Sequence, residues 1–142
     1  ERELEGRNIE IDLVLLDRGI ARFDQHKIQR AVHNLARNAA EALGDEGGHF
    51  QIVVDRQPDD NALVLRFKDD GPGVPAEIRH ALFDSFTTHG KRDGTGLGLA
   101  IVRKVVDDHE GTITVESRPG ETVFTIVLPQ TPGESGVHPA VA

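Results

Sequence analysis

The strongest periodic pattern in the chain predicts an amphipathic helix between His26 and Leu43. At about 100° per residue, its apolar side chains fall into one sector. These side chains are Ile28, Ala31, Val32, Leu35, Ala36, Ala39, Ala42 and Leu43. Asn38 falls at the edge of that sector, which predicts a half-buried carboxamide at the rim of a cleft. Taken alone, the pattern fits equally well a helix with two surface asparagines, Asn34 and Asn38.

Both ends of this helix carry sequence signals. Asp24 precedes the helix, and a carboxylate there accepts hydrogen bonds from free backbone N–H groups. Gly44 follows the helix and is typical of a helix stop. We therefore expect a helix that is capped at its start and ends at Gly44.

Short runs of apolar residues, which alternate with polar residues most clearly over 9–13 and 50–54, predict six strands. They cover residues 9–13, 20–23, 50–54, 62–68, 112–116 and 122–128. The last two are expected to form a hairpin, because only a short glycine-containing segment separates them.

The remaining segments predict helical structure and a lid. Leu97, Ile101 and Val105 stand in one row of a helix that we expect from Thr95 to about residue 110. Residues 74–93 have weak periodicity, with a short helix expected over 75–83. We interpret this segment as a mobile lid over a bound ligand.

Together these elements predict a single domain of the α/β (α+β) class. A two-layer sandwich is expected, in which a mixed, mainly antiparallel sheet carries about three helices on one face. The domain should span residues 8–129. Residues 1–7 are expected to be disordered or to end a preceding helix, and residues 130–142 to form a disordered tail.

Composition and charge argue against several classes of partner and site. The chain has 142 residues, enough for one core, and its net charge of -8 argues against a nucleic-acid partner. It has no cysteine, which excludes disulfides and thiolate metal sites. No stretch has the length and apolarity of a membrane span, and the start has no signal-peptide pattern. We expect a cytoplasmic, monomeric domain without direct membrane contact, within a full-length protein that can itself be membrane-anchored.

Two glycine-rich segments suggest nucleotide chemistry. Asp69 ends a predicted strand, and its carboxylate can accept a hydrogen bond from an exocyclic amine. Gly71 and Gly73 would let the backbone approach a flat base, although a simple Asp-Gly turn fits this segment alone. Further along, residues 94–98 place three glycines at a helix start, where free N–H groups bind anions.

The order of these motifs carries a family resemblance. The motifs are Asn34-x-x-x-Asn38, Asp69-x-Gly71-x-Gly73, a Phe-rich segment, Gly94-Thr95-Gly96-Leu97-Gly98-Leu99, and Ser117…Gly120…Thr122-x-Phe124. From Asn8 to Pro129 the chain resembles the catalytic, ATP-binding domain of bacterial sensor histidine kinases. That domain belongs to the wider family of DNA gyrase B, heat-shock chaperones and MutL proteins. The resemblance implies a Bergerat-type fold, with ATP between the long helices and the lid.

The resemblance also implies roles for individual residues. Asp69 would read the adenine amine, Asn38 would ligate Mg²⁺ through its side-chain oxygen, and Asn34 would lie near the phosphates. Asn34 and the lid cation Lys91 are expected to be the catalytic residues, with Lys91 contacting phosphate. The implied nucleotide-binding positions are Asn34, Asn38, Asp69, Gly71, Gly73, Gly94, Thr95, Gly96, Leu97, Gly98 and Thr122. The aromatic residues Phe83 and Phe86 are expected to anchor the lid.

The implied reaction is transfer of the ATP γ-phosphoryl group to another protein. Gyrase-type ATPases have a water-activating Glu at the position of Asn34, and an asparagine cannot act as a general base. No histidine of the chain, His109 included, has a convincing phosphoacceptor context. We therefore expect the acceptor histidine on a dimerisation hairpin of the same full-length protein, preceding Glu1, and a response regulator as the later partner.

Two departures and two alternatives accompany this hypothesis. Glu41 stands where many such kinases have a lysine, and Gly120-Glu121-Thr122 shortens the usual third glycine motif. An anti-sigma-type serine kinase would have the same fold, but it usually lacks the Gly-Leu-Gly-Leu sequence. The other alternative is a nucleotide-binding signalling module without transfer activity.

Overall fold

Runs of β-branched and aromatic residues form the five strands of one sheet. In the computed structural model, which describes residues 9–74, 83 and 98–130, the strand order is β1-β2-β3-β5-β4. The strands are β1 (Ile9–Leu15), β2 (Gly48–Arg56), β3 (Leu63–Asp69), β4 (Thr112–Arg118) and β5 (Glu121–Leu128). Only β1 and β2 pair in parallel, and every other pair in the described ranges is antiparallel. This confirms the mixed, mainly antiparallel sheet.

Two α-helices cover one face of the sheet. They are α1 (Gln25–Leu43) and α2 (Gly98–Asp108), and a 3-10 turn at Gly44–Glu46 follows α1. The core between the layers holds alternate residues of the three central strands. They include Phe50, Leu63, Leu65, Phe67, Phe124, Ile126 and Leu128. Because side chains alternate along a strand, these residues share the face on which Leu35, Val102 and Val106 of the helices pack.

The predicted caps of α1 are confirmed. The Asp24 carboxylate accepts a hydrogen bond from the Lys27 amide at 3.2 Å. Gly44 has φ 63° and its N–H donates to the Ala40 carbonyl, a conformation that glycine adopts without a Cβ penalty. A second contact ties the start of α1 to α2, since Asp24 N–H donates to His109 Nε2 at 2.9 Å. His109 thus has a structural role, consistent with its exclusion as a phosphoacceptor.

The strand expected over 20–23 is wrong. That segment is irregular, because side chains rather than a neighbouring strand satisfy its backbone. Arg56 donates to the Ile20 carbonyl at 3.1 Å, and Gln130 both accepts from Arg22 N–H and donates to its carbonyl. Ile20 itself is 90% exposed, so its apolar side chain gave a misleading strand signal.

Other expectations fall partly outside the described residues. The described part of the chain has two α-helices against the expected three, and the short helix predicted over 75–83 lies outside it apart from Phe83. Residues 1–8 and 131–142 lie outside it as well, so the predicted disorder of these ends remains a prediction. Gln130, the first residue of the predicted tail, is described, and it is buried and hydrogen-bonded to Arg22. No helix in the described ranges has the length and apolarity needed to cross a bilayer.

Candidate functional site

The candidate site lies where β3 ends. Register places Asp69 opposite Phe50 of β2 on one side and Thr122 of β5 on the other, and all three are buried. The Asp69 side chain is therefore held on the helix-covered face of the sheet. Its burial raises the pKa of its carboxyl above the ordinary value, partly countered by a hydrogen bond from Gly71.

The turn after Asp69 holds this carboxylate in place. Gly71 N–H donates to Asp69 Oδ1 at 3.0 Å, and no described residue hydrogen-bonds to Oδ2. A Cβ at Gly71 would lie 3.0 Å from the same oxygen and 3.6 Å from Ala42 Cβ of α1. The glycine therefore lets the main chain pass close beneath the carboxylate and against the helix.

Gly73 is constrained by its conformation and its neighbours. Its φ is +93°, and a Cβ there would lie 2.7 Å from the Arg118 carbonyl oxygen. Only glycine satisfies both conditions without strain. The shape of the turn thus requires glycine at position 73, while at position 71 an added Cβ would make a tight contact with the Asp69 carboxylate.

The tip of the β4–β5 hairpin supports the other side of the turn. Val74 N–H donates to Ser117 Oγ at 2.7 Å, and Ser117 Oγ is 2.9 Å from Thr122 Oγ1. Gly120 N–H donates to the Gly71 carbonyl at 2.9 Å. The shortened third glycine motif therefore still reaches the glycine turn after Asp69, through a compact hairpin tip.

Helix α1 presents its two asparagines on the side that reaches this turn. Asn34, Asn38 and Ala42 are four residues apart and share one side of the helix. Since Ala42 packs against Gly71, Asn38 lies one turn away from the site and Asn34 two turns away. The Nδ2 atom of Asn34 is buried and has no hydrogen-bond partner among the described residues. A buried amide without a partner is costly, so this donor is suited to a ligand acceptor.

Helix α2 approaches the same region with its N-terminal end. Lys27 at the start of α1 pairs with Asp108 at the end of α2, at 3.1 Å, and the two helices pack against each other. The first described residue of α2, Gly98, is therefore directed toward the later half of α1. A Cβ at Gly98 would meet nothing in the described structure within 4 Å, so this helix start has open space beside it.

The structure describes two residues of the expected lid, Val74 at its start and Phe83. Phe83 packs edge-on against Phe124 of β5, with ring centroids 6.1 Å apart, as expected for an aromatic anchor. Phe86, Lys91, Gly94, Thr95, Gly96 and Leu97 lie outside the described residues. Their implied contacts with the phosphates remain predictions.

The described residues fit an adenine nucleotide. Asp69 offers Oδ2 as an acceptor that no described residue occupies, two glycines allow close approach of a flat ring, and the Asn34 Nδ2 atom offers a donor farther along α1. Gly98, the first described residue of α2, has no other described residue within 4 Å of its Cβ position, which leaves room there for an anionic group as far as the described residues go. The arrangement can read an amine at one end and anionic oxygens at the other.

Comparison with known sequences decides the family. Residues 23–132 match the family described as "Histidine kinase-, DNA gyrase B-, and HSP90-like ATPase". The chain belongs to this ATPase family.

Histidine kinases are prominent among the relatives within this family. The sensory histidine kinase/phosphatase NtrB of Rhodobacter capsulatus is 40% identical over 121 residues, which cover 78% of this chain and 34% of NtrB. The chain thus spans about a third of the length of that relative. The solved catalytic domain of the histidine kinase ThkA matches with a TM-score of 0.79 and 30% identity, covering 92% of this chain and 86% of that domain.

A second ThkA structure shows a partner. Histidine kinase ThkA in complex with response regulator protein TrrA matches with a TM-score of 0.74 and 28% identity, covering 92% of this chain and 37% of that one. The chain is therefore homologous to histidine kinase catalytic domains, and the comparisons do not favour a serine kinase of the anti-sigma type. The predicted two-layer fold of this ATPase family is confirmed.

Sequence reasoning missed three residues around the turn. Ser117 belongs to the third motif, but its hydrogen bond to Val74 could not be foreseen without the hairpin register. His49 and Asp70 form a close pair, with 2.7 Å between Nδ1 and Oδ2. Nothing in the sequence links two residues so far apart, since only the pairing of β2 with β3 brings them together.

Proposed function

We propose that this chain binds MgATP and transfers its γ-phosphoryl group to a histidine on a dimerisation hairpin of the same full-length protein. The observation that carries the proposal is the buried side chain of Asp69, which Gly71 N–H holds through Oδ1 while Oδ2 accepts no hydrogen bond from the described residues. Homology to histidine kinase catalytic domains supports the reaction type. As in the ThkA complex, a response regulator would be the later partner.

Asp69 would recognise the base. An ionised carboxylate accepts a hydrogen bond from the exocyclic amine of adenine, whereas guanine presents a carbonyl oxygen at the equivalent position. Two acceptors facing each other in a buried site would be unfavourable. Ser117 and Thr122 would keep the turn in place from the hairpin side.

Asn34 and Asn38 would act at the phosphate end. The buried Asn34 amide would donate to a phosphate oxygen, and Asn38 would hold Mg²⁺ through its side-chain oxygen. When bound, the metal would neutralise charge on the triphosphate and help to orient it. The glycine segment 94–98 and Lys91 are proposed to contact the phosphates, which makes positioning and charge neutralisation the main contributions of the protein.

The nature of residue 34 favours transfer over hydrolysis. A side-chain amide cannot take a proton from water, so Asn34 would bind the phosphates without activating a water molecule. Slow hydrolysis would preserve the bound ATP until the acceptor histidine arrives. The cytoplasmic location of the domain follows from this proposal, because ATP and response regulators are found there.

Calorimetric titration with MgATP and MgGTP tests the base recognition. We expect saturable binding of MgATP and binding of MgGTP about 5- to 150-fold weaker, from a loss of roughly 1–3 kcal/mol when a buried polar group is left unpaired. Omission of Mg²⁺ should weaken ATP binding. Equal affinity for the two nucleotides would contradict the proposed role of Asp69.

A further inference from the structure

His49 and Asp70 form a close pair beside the proposed base-recognition turn. His49 N–H donates to Asp70 Oδ1 at 2.8 Å, and the imidazole Nδ1 is 2.7 Å from Asp70 Oδ2. Asp70 N–H donates back to the His49 carbonyl at 3.3 Å. A Cβ at Gly48 would collide with Asp70 Oδ1, so the neighbouring glycine leaves room for this carboxylate. Main chain and side chains together therefore join β2 to the turn.

This pair acts on the turn from the side opposite the hairpin. Asp70 stands between Asp69, the proposed base reader, and Gly71, whose N–H fixes Asp69 Oδ1. The hairpin residues Ser117 and Gly120 hold the turn from β4 and β5, and His49 holds it from β2. A turn fixed on both sides is already arranged for its ligand, which lowers the cost of ordering it on binding.

The proton on His49 determines how many of these contacts can form. Its Nε2 is 3.1 Å from Glu10 Oε1 of β1, so carboxylates from two elements face the two ring nitrogens. Only the imidazolium can donate to both, because a neutral imidazole has one N–H. The hydrogen bond and the charge of Asp70, with a smaller effect of Glu10, raise the pKa of His49, and the contacts with His49 lower the pKa of Asp70.

We propose that His49 is a positioning residue for nucleotide binding, acting through Asp70 on the Asp69–Gly73 turn, and that its protonated form holds the turn best. The inference rests on the proposed role of Asp69 in reading the base. Because the protonated form holds the turn best, nucleotide affinity should be highest when His49 is protonated. Affinity should then fall as pH rises through the raised pKa of His49. Since the side chains of His49 and Asp70 are exposed, 64% and 42%, solvent screens their interaction and the effect should be modest.

The test measures ADP affinity by calorimetry from about pH 6 to about pH 9, in the presence of Mg²⁺. The variants are His49→Gln and Asp70→Asn; the side-chain oxygen that remains in Asp70→Asn can still accept from His49 N–H. His26→Gln, at another exposed histidine on α1, is the matched control. Every variant keeps Asp69, so titration of Asp69 and of the nucleotide phosphates cancels when affinities are compared at one pH.

We expect the wild-type chain to bind ADP about two- to fivefold more tightly than either variant near pH 6, with the difference shrinking toward pH 9. His26→Gln should follow the wild type. Affinity profiles that run parallel in the wild type and both variants would overturn the proposal. So would a lowered melting temperature with unchanged pH dependence of affinity, since that is what a purely structural pair would give.

A milder variant covers the case of poor folding. Glu10→Gln removes one charge from β1, where the side chain is 76% exposed, and should flatten the profile only in part. A profile identical to that of the wild type would count against the proposal. Failure of the proposed function would look different, because Asp69→Asn would then bind ADP as tightly as the wild type at every pH. That result would remove the basis of this inference too.

Discussion

The carboxylate of Asp69 is only 4% exposed, and the one hydrogen bond it accepts from the described part of the chain comes from the Gly71 amide. Burial of a charge with so little compensation disfavours the ionised form in the folded protein and raises the pKa of the group. A position of this kind is unfavourable for folding and useful for recognition. The buried carboxylate would therefore lower the free energy of unfolding, while it provides a hydrogen-bond acceptor for a ligand.

Asp69→Asn should separate the two effects. The amide can place a donor against the adenine amine, and we expect ATP affinity to fall by about 30-fold, from a loss of roughly 2 kcal/mol. The folded protein should become no less stable near pH 7. Because the native pKa of Asp69 is raised, its ionisation opposes folding increasingly as pH rises from the unfolded-state pKa through the native one. The stability gain of the variant should grow over that range, which chemical unfolding at several pH values would check.

Gly73 gives a second residue-scale prediction. Gly73→Ala introduces a Cβ at φ +93° and within 2.7 Å of the Arg118 carbonyl oxygen. Gly120→Ala is the matched control, since Gly120 has φ +92° but no described atom within 4 Å of the added Cβ. We expect each variant to lose about 1–2 kcal/mol from backbone strain, with a further loss and weaker ATP binding only for Gly73→Ala. Equal unfolding free energies for the two variants would contradict the steric account of the turn.

At the level of elements, periodicity predicted α1 and the strands of the central sheet because those elements bury one face. The strand over 20–23 failed for a physical reason: the segment from Ile20 to Phe23 is rich in apolar residues, yet the Arg56 and Gln130 side chains bind its backbone. The first strand was correctly located, but Ile11 and Leu13 are 40% and 61% exposed. Alternation shows which side chains of a strand share a face. It cannot show whether a helix packs over that face, and in an edge strand such as β1 the apolar face can stay exposed.

The hydrogen bond that caps the start of α1 can be tested by removing its acceptor and then restoring one. Asp24→Ala removes the side-chain acceptor for Lys27 N–H and should lower the free energy of unfolding by about 1 kcal/mol. Asp24→Ser restores an acceptor and should recover most of that loss. The bond from Asp24 N–H to His109 is a backbone contact and remains in both variants. Thermal or chemical unfolding would measure the difference, and equal destabilisation by alanine and serine would show that the cap contributes little.

For the whole molecule, strand pairing brings residues of the Asp-x-Gly-x-Gly motif and of the third motif together. The sheet brings Asp69, Ser117 and Thr122 into one row, and α1 places Ala42 against the turn. The sequence could not predict the pair of His49 and Asp70, because it depends on the register of β2 against β3. Motif order is enough to predict a site when each motif occupies a fixed position in the fold. Contacts between neighbouring strands can be predicted only when the strand pairing is known.

We propose that the γ-phosphoryl group of ATP is transferred to a histidine of the dimerisation hairpin, and a labelling experiment tests this transfer. The chain would be incubated with γ-labelled ATP and Mg²⁺, alone and together with the dimerisation hairpin of its full-length protein, with Asn38→Ala as the control that loses the proposed metal ligand. We expect acid-labile label on the hairpin histidine, no label on the chain alone, and greatly reduced transfer in Asn38→Ala. Strong label on the chain alone, or an unlabelled hairpin despite tight nucleotide binding, would contradict it.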